Sequence, residues 1–353
     1  MSVETDVEFR PGPVATDEVL FARQGSLGRI RLNRPRAINA LTDAMVASMQ
    51  AQLERWADDD TVTAVALEGA GERGLCAGGD VRALRSAILS GEDDPARFWA
   101  REYALDAAIA RFPKHFVALM DGIVMGGGLG LSAWGSLRVA TERSRVAMPE
   151  TAIGFFPDVG MLYLLARAPG EVGTHLAMTG ATVGGPDAVY AGLADVVLES
   201  RRLPDLVLEL ADGRVPEPRE LDDDRVPVPT LGVERDWIDE CYAGDDAAVI
   251  LDRLRGHRSP AARDAAETIA SRSPLSVAVT LEALRRAARL ATPEQVFAQD
   301  LALGRAFLDG SDFVEGVRAV LVDRDHDPRW THSCLADVPR DAVMRMFAGA
   351  PRP

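Results

Sequence analysis

The first strongly patterned stretch, EVLFARQGSLGRIRLNRP (Glu18 to Pro35), alternates apolar and polar positions on both sides of Gly25-Ser26. It predicts two short strands joined as a hairpin. Thr42 then precedes Met45, Met49, Leu53 and Trp56, which fall on one stripe of a helix that Thr42 caps. Val62 to Leu67 predicts a strand. Arg97 to Phe112 predicts a helix stopped by Pro113, and Phe116 to Met120 another strand. Leu137 to Ala140 is a further strand and Met161 to Ala168 a helix ended by Pro169-Gly170. Strands and helices alternating in this way predict an α/β domain.

After about Ser200 the texture changes. VPEPRELDDDRVPVP (Val215 to Pro229) is proline-rich and acidic, too polar to pack, and predicts a loop or linker. Beyond it the pattern is helical. One helix opens at Ser273-Pro274, a capping box with proline in the first turn lies at Thr292 to Gln295 (TPEQ), and DFVEGVRAVLVD (Asp312 to Asp323) reads as another helix. Three parts are expected: a core over 15–200, a connecting segment over 201–231, and a helical region over 232–353 that completes the site and supplies oligomer contacts.

Composition narrows the function. Apolar residues make up 47% of the 353 and charged residues 26%, as in a soluble globular chain. A net charge of −15 argues against nucleic acid or an anionic membrane as the main partner, but an anionic small molecule needs only a local positive patch. No run of about 18 apolar residues occurs, and a membrane span is not expected. The N-terminus, MSVETDVEFRPGPV, is acidic and proline-interrupted, so cytoplasm is the expected location. Cys76, Cys241 and Cys334 are far apart and odd in number, and the histidines are scattered; neither disulfides, a metal nor a cofactor is expected. No histidine lies near Cys76 in its motif, which makes it a packed residue rather than a nucleophile.

Two glycine clusters carry the chemistry. GLCAGGD (Gly74 to Asp80) and MGGGLG (Met125 to Gly130) each follow a predicted strand. Backbone N–H groups at such strand ends and helix starts are free to point into a cavity, and glycine lets a ligand approach them closely. Two converging from separate loops form a hole for a developing oxyanion. Either loop alone is an ordinary turn. GLGLSA from Gly128 also fits the loose dinucleotide fingerprint, but it sits too deep in the chain for that fold.

The pair of loops, followed by MPETAIGFFPDVG (Met148 to Gly160) and preceded by LNRPRAINAL (Leu32 to Leu41), resembles the crotonase (enoyl-CoA hydratase/isomerase) superfamily from about Leu20 to Ala194. The resemblance implies a spiral of ββα turns ending in helices, an acyl-CoA substrate with its thioester oxygen on the N–H groups of Gly79 and Gly127, and a homo-oligomer, commonly trimers and their dimers. Hydratases of the superfamily add water with two glutamates. One of those positions is Glu150; the other, three residues after Gly127, is Gly130, and glycine transfers no proton. Asp158 appears instead. MPETAIGFFPDVG, REYALD (Arg101 to Asp106) and DFVEGVRAVLVDRDHDPRW (Asp312 to Trp330) are similar to the 3-hydroxyisobutyryl-CoA hydrolase branch.

That likeness implies that Glu102, Gly127, Glu150 and Asp158 line the acyl site. Glu150 is then nucleophile or general base, Asp158 positions water or the substrate hydroxyl, and Glu102 bonds the polar end of the acyl group. For coenzyme A, Arg36 and Arg82 are candidates for phosphate contact, backbone at Ala37 and Ala77 for adenine, and Phe313 for packing nearby. Phe155, Phe156 and Leu129 are candidate pocket walls. Two rival readings stay open: an isomerase using Glu150 as its single base, and a non-catalytic acyl-CoA binding protein.

Overall fold

The structure is a computed structural model that describes residues 7–91, 94–221 and 226–352. β1 (Arg10–Pro11) pairs antiparallel with β2 (Val19–Gln24), which turns at Gly25 into β3 (Leu27–Leu32), again antiparallel. Gly25 takes a φ of +56°, the left-handed value a tight hairpin turn needs. The Thr42 hydroxyl accepts the Met45 N–H at 3.2 Å and starts α1 (Asp43–Ala57), whose Met45, Met49, Leu53 and Trp56 are all buried.

From here one unit recurs: a strand in a large sheet, a short strand in a small sheet, then helix. β4 (Ala64–Gly69) and β5 (Gly74–Cys76) lead to α2 (Val81–Ser90) and α3 (Pro95–Ala110). β6 (His115–Met120) and β7 (Ile123–Met125) lead to α4 (Gly127–Ala133). β8 (Leu137–Ala140) and β9 (Arg145–Ala147) lead to a 3-10 turn, Glu150–Ile153, and α5 (Met161–Leu165). β10 (Val196–Val197) completes the large sheet, ordered β1-β2-β3-β4-β6-β8-β10 and parallel from β3 onward. The small sheet is β5-β7-β9, all parallel. This is the α/β spiral the sequence led us to expect.

The central strands are buried on both faces. Val65 and Leu67 of β4, with Phe116 and Ala118 of β6, enter the main core; Ala64, Ala66, Val117 and Leu119 enter a second cluster on the opposite face. That second face is covered by a helix, Leu203–Ala211, through Leu206, Val207 and Leu210. The segment 201–231 is therefore not all linker: this helix, the short helical turn Pro218–Leu221 and the buried Leu221 lie within it. The proline-rich stretch was expected not to pack because its net polarity hides the few apolar residues that do, Leu221 with Val215 and Val226; part of it, 222–225, lies outside the described residues.

In the C-terminal part both caps form: Ser273 accepts from Ser276 N–H at 3.2 Å, and the Thr292/Gln295 box is complete. The helix Pro293–Leu308 packs along α3, and Pro274–Ala287 against α5. Two helices are shorter than their patterns predict. α5 ends at Leu165 rather than Ala168, and Asp312–Val317 passes into a π-helical turn, Arg318–Val322. Such turns often lie at functional sites.

Candidate active site

Three parallel strands ending side by side, about 4.8 Å apart, deliver three groups to one place. β5 runs into Ala77-Gly78-Gly79, β7 into Gly126-Gly127, and β9 into Met148-Pro149-Glu150. All three ends line one cavity of about 270 Å³. The N–H of Gly79 and that of Gly127, the first residue of α4, have no acceptor among the described residues. Neighbouring bonds fix the first loop: Leu41 N–H donates to Gly78 O at 2.8 Å and Asp80 N–H to Leu41 O at 2.9 Å.

Backbone conformation and close contact both favour glycine here. Gly78 has a φ of +106° and Gly126 one of +51°, and a Cβ on Gly126 would come 2.9 Å from Glu150 Oε1. A Cβ on Gly127 would sit 2.1 Å from Glu102 Oε1. The two glutamates thus press against the backbone that carries the free amides. Beneath the loop, the buried Cys76 thiol donates to Asn39 O at 3.2 Å and accepts Gly78 N–H at 3.4 Å. Burial pushes that thiol up to about 12, which leaves it a packed neutral group.

The cavity is acidic inside. Glu102, Glu150 and Asp158 line it, and Asp106 and Asp300 lie behind; each is 7% exposed or less. None has a cationic partner among the described residues, and Glu102 Oε1, Glu150 Oε2, Asp300 Oδ1 and both oxygens of Asp106 have no hydrogen-bond partner there. Burial holds Glu150 well above the usual carboxylate range, with the charges of Asp158 and then Glu102 adding to it. Glu102 is raised by burial and then by Asp158. Asp158 is raised as well. Burial pushes it up to about 6, against the pull of the Tyr103 hydroxyl, which donates to its Oδ2 at 2.6 Å. A carboxylate with raised proton affinity beside free amides is suited to proton transfer near neutral pH.

The cavity gathers Ala77, Gly79, Glu102, Gly127, Glu150, Asp158 and Phe313 from among the residues the sequence singled out. Phe155 forms part of its wall and stacks on Trp99 with centroids 4.8 Å apart, whereas Phe156 and Leu129 lie buried behind it. Arg36 and Ala37 are exposed on the 3-10 turn Pro35–Ala37, outside the cavity, although the bond from Ala77 N–H to Ile38 O runs alongside. Arg82 is also outside; its guanidinium donates to the carbonyl of Leu321, which lines the cavity. Gly130 faces Val159 Cβ at 2.7 Å and Asp106 Oδ2 at 3.0 Å from where its own Cβ would be, so no side chain fits there.

Tyr103, Asp106 and Asp300 are the members of this cluster that sequence reasoning passed over. Trp99, Glu102, Tyr103 and Asp106 fall on one face of α3, the last three being three, four and seven residues after Trp99, and an acid at such a core-facing position is the signal that could have found Asp106. A larger open groove of about 1070 Å³ lies between the N-terminal strands and the helix Leu203–Ala211. Its arginines are already paired, Arg29 and Arg31 with Glu68 and Arg143 with Asp121, and the free amides and buried acids place the chemistry in the smaller cavity.

Residues 27–347 match the family model described as enoyl-CoA hydratase/isomerase. The chain belongs to this family. Among curated members it is 39% identical over 347 residues to 3-hydroxyisobutyryl-CoA hydrolase, mitochondrial, of Danio rerio, covering 95% of this chain and 90% of that one. Among solved structures it is similar to a carnitinyl-CoA dehydratase from Mycobacterium thermoresistibile, with 45% identity, a TM-score of 0.90 and coverage of 94% and 97%. It is similar as well to an enoyl-CoA hydratase from Rhodobacter sphaeroides 2.4.1, with 39% identity, a TM-score of 0.90 and the same coverage.

Proposed function

We propose that the chain hydrolyses the thioester of a short β-hydroxyacyl-CoA, 3-hydroxyisobutyryl-CoA, to 3-hydroxyisobutyrate and CoA. The observation that carries this reading is the meeting of two unpaired amides and the Glu150 carboxyl at the ends of β5, β7 and β9, with Asp158 in the cavity and no room for an acid at Gly130. The cavity is small, and the rings of Trp99, Phe155 and Phe313 wall it, which suits a short acyl group.

In this mechanism the carbonyl oxygen sits on the N–H groups of Gly79 and Gly127, which stabilise it as it gains charge. Glu150 either takes a proton from an attacking water or adds to the carbonyl itself to form a transient anhydride that water then opens. In both routes the C–S bond breaks, the thiolate sulfur takes up a proton, and the oxygen gained comes from water. Asp158 orients that water or the substrate hydroxyl, and Glu102 bonds the polar end of the acyl group. The backbone at Ala77 and Ala37 is the proposed seat of the adenine, with Arg36 exposed beside it for a phosphate.

The names of the two solved relatives favour a second reading, hydration or dehydration at the double bond. That chemistry uses two carboxylates in the family pattern described above, and position 130 offers none. A panel of short acyl-CoA esters separates the readings: thiol release is followed with a thiol reagent, and double-bond formation or migration by absorbance. Thiol release fastest from 3-hydroxyisobutyryl-CoA is expected. Double-bond chemistry without thiol release would favour the hydratase or isomerase, and tight binding with no turnover the binding protein.

A further inference from the structure

Asp158 reaches the cavity from a strained turn. Val159, which follows it, has a φ of +51°, a left-handed conformation that β-branched residues seldom adopt, and Gly160 continues at +74°. Three elements hold the turn. The Tyr103 hydroxyl on α3 donates to Asp158 Oδ2 at 2.6 Å, Gly160 N–H donates to Asp300 Oδ2 on the helix Pro293–Leu308 at 2.8 Å, and the Trp134 indole N–H donates to Val159 O at 3.2 Å. Gly130 supplies the space, since a Cβ there would lie 2.7 Å from Val159 Cβ. The room left by a missing side chain at 130 is occupied by the turn that presents Asp158. One acid position closes as the other opens.

The groups that face Asp158 are Glu102 and Asp106 on α3, Glu150 on the segment after β9, and Asp300 behind; α4 and α5 contribute no charged residue. In these acidic surroundings the Tyr103 hydroxyl is the one side-chain donor to Asp158 among the described residues. The ring is 3% exposed and packs near Phe297, with centroids 6.4 Å apart, so the hydroxyl is delivered by a rigid body.

Resting on the hydrolase reading above, we propose that Tyr103 is a positioning residue of the reaction: its hydroxyl clamps one oxygen of Asp158 and holds that carboxylate, ionised, at the cavity. A hydrogen bond to the charged form favours it, and a charge-assisted one lost in a buried site corresponds to about one to two pH units. Tyr103→Phe keeps the ring and removes only the hydroxyl. The acid limb of its kcat profile for thiol release from 3-hydroxyisobutyryl-CoA moves to higher pH by about one to two units, with KM little changed. Asp158→Asn abolishes the sensitivity: adding Tyr103→Phe to it changes the rate no further. A profile that superimposes on wild type, or losses that multiply in the double variant, would overturn the proposal. A purely structural role predicts a lower melting temperature with an unmoved profile. Should the wild type release no thiol, the hydrolase reading fails, yet the clamp is still read without turnover. An infrared titration of the Asp158 carboxyl, assigned by difference from Asp158→Asn, must then show the same upward shift in Tyr103→Phe, and an unchanged titration contradicts it.

Discussion

Gly127 bears two constraints at once: its N–H is one of the two unpaired amides, and its α-carbon lies under the Glu102 carboxyl, 2.1 Å from Oε1 to where a Cβ would be. Gly127→Ala must push Glu102 or the loop aside and move the amide off the reacting oxygen. We expect kcat for thiol release to fall by roughly 10²–10³-fold, the usual cost of one oxyanion donor. A rate within a few-fold of wild type would remove that amide from the mechanism. That Gly127, Glu150 and Asp158 meet at one cavity was legible in the sequence because the three stand in motifs with a fixed place relative to one another, and glycine allows the close approach. Tyr103, Asp106 and Asp300 were not. A buried acid reads as surface in a polarity pattern, and what marks these as interior is the packing of Pro293–Leu308 on α3, a contact between segments nearly 200 residues apart.

At the scale of elements, the helix Asp312–Val317 and the π-helical turn that follows it are fastened to the core by two arginines of α2. Arg82 donates to Leu321 O, and Arg85 to Val314 O at 3.0 Å, while Phe313, Val320 and Leu321 between them line the cavity. The π-helical turn Arg318–Val322 is thus both wall and clasp. Arg82→Ala should leave the chemistry intact and loosen that wall: KM rises several-fold with a smaller change in kcat, and amide exchange quickens over residues 313–322. Unchanged exchange and KM would show that the clasp bears no load in binding. Local signals found the hairpin, the Thr42 and Ser273 caps and the Thr292 box, because each is written in a few adjacent residues. They missed the π-helical turn and the role of Leu203–Ala211, whose apolar face makes sense only once the far side of the sheet needs covering.

For the whole molecule, the net charge of −15 counts every acid of the chain, the five around the cavity among them, and those five lie in the interior, where stability must absorb them. Asp106 shows the cost most clearly. Burial, then the charges of Glu102, Asp158 and Asp300, raise its carboxyl well above the ordinary 3.8, and neither oxygen has a partner among the described residues. A carboxyl with a folded-state pKa above its unfolded value favours the folded protein at low pH, and stability is lost as pH climbs from about the unfolded value toward the folded one. Asp106→Asn removes that titration. Its melting temperature should therefore exceed wild type at pH 8 by more than at pH 5; a difference independent of pH would show that Asp106 does not titrate in this window. The central claim, that two backbone amides and the Glu150 carboxyl together cleave a thioester, is tested most directly by one comparison. Thiol release from 3-hydroxyisobutyryl-CoA is measured for wild type and Glu150→Gln, with ester binding followed calorimetrically. The account predicts rapid release by wild type, and for Glu150→Gln a loss of at least about 10²–10⁴-fold with binding retained. Release by Glu150→Gln at near the wild-type rate would contradict it.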